Sequence, residues 1–131
     1  MIVHLHIVGV LFVCLAFAHV GFPRYFDWKK ELAPLSLINR QMMQVHALFI
    51  AIIVFLIGLL CLTSAQDLIT TSLGRRIAFA LGLFWAFRLL VQLFGYAPEL
   101  WKGKTFETIV HVVFSCVWCY VSVVFLSVAL G

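Results

Sequence analysis

Charge is what this sequence has least of: nine Lys and Arg and five Asp and Glu in 131 residues, 11% of the chain, where a soluble domain carries roughly a quarter. That shortage excludes a soluble globular protein. Too little polar surface remains to wrap even a small core, and thirteen Phe and four Trp need an apolar environment. A disordered chain and a nucleic-acid binder fail on the same numbers, and a formal net charge of +4 does not revive them, because in so apolar a chain Lys and Arg mainly set orientation. The alternating ten-residue segments of a membrane barrel are absent. So are a nucleotide-binding loop, a metalloprotease helix and a serine nucleophile elbow, which sets aside soluble-enzyme chemistry. There is no internal repeat and no low-complexity tract.

What is there is hydrophobic: 65% of the residues, with a mean hydropathy of +1.15. Polar interruptions mark four apolar stretches, 2–22, 41–64, 77–97 and 106–130. At about 1.5 Å of rise per residue each can cross a hydrocarbon layer of about 30 Å. Backbone groups in lipid must be satisfied within their own segment. The expected fold is therefore an all-α integral membrane protein, a four-transmembrane-helix bundle forming a single domain over 1–131. Ala16-Phe17-Ala18 looks like a signal-peptide cleavage site, but no Lys or Arg precedes the apolar run, so the first stretch is expected to stay as a span.

Arg24, Lys29, Lys30, Arg40, Lys102 and Lys104 fall on the side opposite the N-terminus, and only Arg75 and Arg76 on the N-terminal side. This bias predicts both termini outside the cytoplasm, in a bacterial inner membrane. The 21–39 connection carries Phe22, Tyr25, Phe26 and Trp28 beside two lysines, the composition of a segment lying in the headgroup layer. Trp101 reads as a matching belt residue, and Ser72 as the cap of the third helix.

The informative residues are the few polar ones in these stretches, since a buried charge in lipid costs several kcal/mol unless it faces protein or water. His4 and His6 sit close enough to one end to reach interfacial water. His19 lies about one turn inside the basic side, His46 about 9 Å beyond Arg40 and His111 about 10 Å beyond Lys104, so three helices bring imidazoles to one leaflet. Arg88 and Gln92 share a helix face at i, i+4, and Glu107 is the nearest carboxylate to neutralise Arg88 or orient His111. Thr108, His111, Ser115, Cys119 and Ser122 form a polar stripe expected to face the bundle. Gln41 and Gln44 share another face, set off from His46 by about 200°, which puts them toward the interface and leaves His46 as the group expected to be buried.

Two imidazoles on separate helices are what a b-type haem requires, which gives His46 and His111 as cofactor ligands with Arg88 for a propionate. A transition metal ion would instead take His19, His46 and His111, with Glu107 completing the shell. Either would support electron transfer or redox chemistry. Cys116 and Cys119 form a C-x-x-C in mid-helix, better suited to packing than to thiol chemistry, with copper(I) binding as the alternative. His4-x-His6 followed by Phe22-Pro23-Arg24 is distantly similar to the start of the small four-span haem-binding protoporphyrinogen oxidases; the likeness covers one span and assigns no residue a role. The competing reading is a non-catalytic structural or accessory subunit, in which histidines are interhelical hydrogen-bond glue and Ala78, Gly82 and Ala86 offer a surface for close helix contact. Expected partners are the bilayer, other membrane subunits or a second copy of the chain, and no nucleic acid.

Overall fold

The computed structural model describes residues 1–131 and contains helices and no strand. In chain order these are α1 (Ile2–Tyr25), α2 (Trp28–Glu31), α3 (Leu37–Thr63), α4 (Ala65–Thr70), α5 (Ser72–Leu90), a π-helical turn (Val91–Gly95), a 3-10 turn (Pro98–Leu100) and α6 (Thr105–Leu130). Four helical segments, Ile2–Tyr25, Leu37–Thr63, Ser72–Gly95 and Thr105–Leu130, are long and apolar enough to cross a membrane. The chain divides into two compact units, Leu5–Ala65 and Met1–His4 with Gln66–Gly131.

In the first unit, α1 buries Leu5, Val8, Gly9, Phe12 and Ala16, and α3 buries Val54, Gly58 and Cys61. The 3- and 4-residue spacing puts each set on one helix face. Gly9 and Gly58 mark where the backbones meet: a Cβ on Gly9 would lie 2.6 Å from Leu62 Cγ and 2.9 Å from the Gly58 carbonyl oxygen. Phe17 and Phe55 pack edge to face farther along, centroids 6.0 Å apart. α1 runs three residues past the predicted 22, through Pro23. After its end at Tyr25 the chain turns at Asp27, whose φ of 52° and ψ of 52° lie in the left-handed region. Aspartate is among the residues that reach that region most readily. α3 starts at Leu37, earlier than the predicted 41, because the Ser36 hydroxyl accepts the Asn39 N–H at 3.4 Å.

In the second unit, α5 and α6 pair along their length, so that Gly82 faces Leu126 and the rings of Trp85 and Trp118 stack at 4.9 Å with 6° between their planes. The buried positions of α5, Gly74, Ala78, Gly82 and Trp85, are small at one end and aromatic at the other. Gly74 lets α4 approach: a Cβ there would sit 2.6 Å from Leu68 Cα and collide with the Asp67 carbonyl oxygen. The cap of α5 is Thr71, whose hydroxyl accepts the Gly74 N–H at 2.9 Å, in place of the expected Ser72, which begins the helix.

Candidate functional site

The 3.6-residue repeat of α5 brings Arg88 and Gln92 to one face, and the antiparallel pairing with α6 sets His111 opposite them. Arg88 Nη1 donates to Gln92 Oε1 at 3.2 Å, and Gln92 Nε2 donates to His111 Nδ1 at 3.0 Å. Gln92 is 8% exposed and sits in the π-helical turn, a distortion often found at functional positions. Directions in this relay are fixed by chemistry. A guanidinium only donates, so the Gln92 oxygen must face it and the amide nitrogen must face the imidazole. His111 Nδ1 is then an acceptor, and its Nε2 carries the proton.

Aromatic rings complete the cluster. Trp101 stacks on the His111 ring, centroids 3.8 Å apart and planes within 7°. The Arg88 guanidinium carbon lies 5.1 Å from the centroid of Trp118 and 5.6 Å from that of Tyr96, both within cation-π range. The expected carboxylate partner of Arg88 is therefore replaced by Gln92 and two rings. Glu107 is exposed, at the start of α6. Trp101, read in the sequence as a belt residue, also covers His111, and its carbonyl accepts the Thr108 hydroxyl at 2.7 Å.

Two members of the stripe on α6 are satisfied within their own helix. The Ser115 hydroxyl donates to the His111 carbonyl at 2.8 Å and that of Ser122 to the Trp118 carbonyl at 2.7 Å. Cys119 departs from the stripe and is exposed, as are Cys116 and Cys14; all four cysteines are free thiols. Farther along α6, within the second unit, Tyr120 Oη lies 2.7 Å from His4 Nδ1, so His4 has a protein partner as well as access to the surface.

The histidines of the first unit are held in the opposite sense to His111. His46 Nδ1 donates to the Met42 carbonyl at 2.7 Å, and His19 Nδ1 to the Leu15 carbonyl at 2.7 Å. A carbonyl only accepts, so both Nδ1 atoms carry the proton and both Nε2 atoms present a lone pair. That is the form in which imidazole ligates a metal, with its second nitrogen anchored to an acceptor. His46, expected to be buried, is exposed instead, at the centre of an apolar face formed by Met42, Met43, Phe49, Ile50 and Ile53, all exposed. His19 is half-buried, its ring 4.6 Å from that of Phe22. With Phe17 against Phe55, the antiparallel register puts His19 about 10 Å from the level of His46 along the pair. Within neither unit do three His, Cys, Asp or Glu side chains gather as a metal-binding group.

Depth matching in the sequence pointed to His111 with Arg88 and Gln92 but missed Trp101, Tyr96, Trp85 and Trp118. Trp85 and Trp118 had a usable signal, since each lies on the buried face of its helix. Trp101 had none, because its contact depends on the path of the 96–104 connection. Neither a family model, nor a curated protein, nor a solved structure matches the chain.

Proposed function

We propose that this chain is an integral membrane protein that binds haem through His46 and serves electron transfer or redox chemistry, with both termini outside the cytoplasm of a bacterial inner membrane. The observation that carries the reading is the form of His46: Nδ1–H tied to the Met42 carbonyl and Nε2 open on an exposed apolar face. A flat, apolar macrocycle is suited to such a face. Haem is favoured over a bare transition metal ion because it brings its own equatorial nitrogens and requires as little as a single axial histidine. A bare ion needs three or four converging ligands, a demand for which His19, His46, His111 and Glu107 would all have to be recruited. His19, with the same outward lone pair, is the next candidate donor. His111, with Nδ1 taken up by the Gln92 amide and the proton on Nε2, suits a polar contact better than iron ligation.

A second reading is supported by the second unit. Arg88, Gln92 and His111 satisfy one another, as interhelical glue does, at about 0.6 kcal/mol per contact. A structural or accessory subunit would need no more than this.

The separating experiment is an absorption spectrum, with and without reductant, of protein gently solubilised from a haem-replete native membrane, alongside elemental analysis. Soret and α bands that sharpen on reduction support haem. Stoichiometric zinc, copper or iron without those bands moves the proposal to a metal site. A colourless, metal-free protein gives the accessory-subunit reading the field.

A further inference from the structure

Within the first unit, a cavity of about 640 Å³ opens between the end of α1, the short α2 and the start of α3, lined by Arg24, Lys29 and Arg40 with Asp27, Trp28 and Gln44. Three cations thus face one carboxylate around a single space. Their only side-chain hydrogen bond is that from Arg40 Nη1 to the Ala33 carbonyl at 3.4 Å, a long one that leaves the rest of the guanidinium free. The cavity is built by the backbone. Asp27 turns the chain in the left-handed region, and its carbonyl takes the N–H groups of Lys30 and Glu31 at 3.1 and 2.9 Å, which starts the short α2 that carries Trp28 and Lys29.

We propose that this cavity binds the phosphate of an anionic phospholipid headgroup. Its position decides the source of the phosphate. It lies where two helices long and apolar enough to cross a membrane end and begin, with half-buried Trp28 in its lining and exposed Tyr25 and Phe26 between Arg24 and Asp27 in the chain. Such rings mark the headgroup level. Basic pockets between spans on the cytoplasmic side are suited to anionic headgroups, and the Lys and Arg bias puts this end there. Arg24 and Arg40 supply forked N–H donors for phosphate oxygens. Lys29 adds a point charge and Gln44 an amide donor for the headgroup's hydroxyls.

The test is native mass spectrometry of the delipidated full chain in neutral detergent, titrated with phosphatidylglycerol or phosphatidylcholine. The wild type is expected to retain phosphatidylglycerol selectively. Arg24→Gln/Arg40→Gln should weaken retention about 30-fold, and Lys29→Gln alone about 5-fold. Arg75→Gln/Arg76→Gln, which removes the same charge near the start of α5 in the second unit, should leave it unchanged. Circular dichroism checks folding, and the single variant carries the test if the double one loses helicity. Equal retention of the two lipids, or equal loss in the Arg75/Arg76 variant, overturns the proposal. Displacement of the lipid by millimolar inorganic phosphate shows a soluble-anion site and overturns the assignment to lipid.

Discussion

The proton on each imidazole follows from what its partner can accept or donate, and this divides the histidines into two chemical kinds. His111 faces an amide nitrogen and so accepts through Nδ1; His46 and His19 face carbonyls and so donate through Nδ1. Nitrogen-15 NMR of the histidine-labelled protein should therefore report Nε2–H for His111 and Nδ1–H for His46. In Gln92→Glu the new carboxylate still accepts from Arg88 but has no N–H for His111, so His111 is expected to switch to Nδ1–H while His46 stays as it was. An unchanged His111 signal would contradict the relay. Gln92→Leu removes both bonds at a buried position and should cost about 1–3 kcal/mol of stability in detergent unfolding, more than Gln41→Leu on an exposed face. The i, i+4 spacing made the Arg88 and Gln92 pair legible in the sequence, and matched depth made His111 their neighbour. Tautomers were beyond it, because they depend on which partner each ring turns toward.

Helix pairing depends on glycine at a few points and is indifferent to it elsewhere. At Gly9 a Cβ would meet both the Leu62 side chain and the Gly58 backbone oxygen. Leu62 can rotate away, but the carbonyl cannot move without shifting α3. Gly9→Ala is expected to destabilise the first unit by about 1–3 kcal/mol. Gly21 has nothing within 4 Å of an added Cβ, and Gly21→Ala within the same helix should be neutral or stabilising by up to about 1 kcal/mol. Equal midpoints for the two variants in detergent unfolding would contradict the close approach at Gly9. The four long apolar elements were legible because hydropathy alone defines them. Their ends were less so: Ser36 and Thr71 cap helices that the apolar run suggested would begin elsewhere. The π-helical turn left no mark in hydropathy, since it changes the path of the helix and not its polarity.

For the molecule as a whole, the composition that excluded a soluble fold also made a helical membrane protein the natural reading, whereas the division into two units depends on packing that no hydropathy pattern encodes. The basic bias predicts the 21–40 and 98–105 connections inside and the 65–76 connection outside. With Cys14, Cys61, Cys116 and Cys119 replaced, a cysteine at Ser72 should react with an impermeant maleimide in intact cells and one at Lys29 should not; the reverse pattern would invert the topology. The central claim is that His46, by virtue of its outward Nε2, holds the cofactor. It is tested most directly by haem per chain in three proteins expressed in haem-replete membranes: wild type, His46→Ala and His111→Ala. Near-stoichiometric haem is expected in the wild type and in His111→Ala, with loss of at least about tenfold in His46→Ala, corresponding to about 1.4 kcal/mol. Haem retained in His46→Ala, or lost in His111→Ala alone, would contradict it.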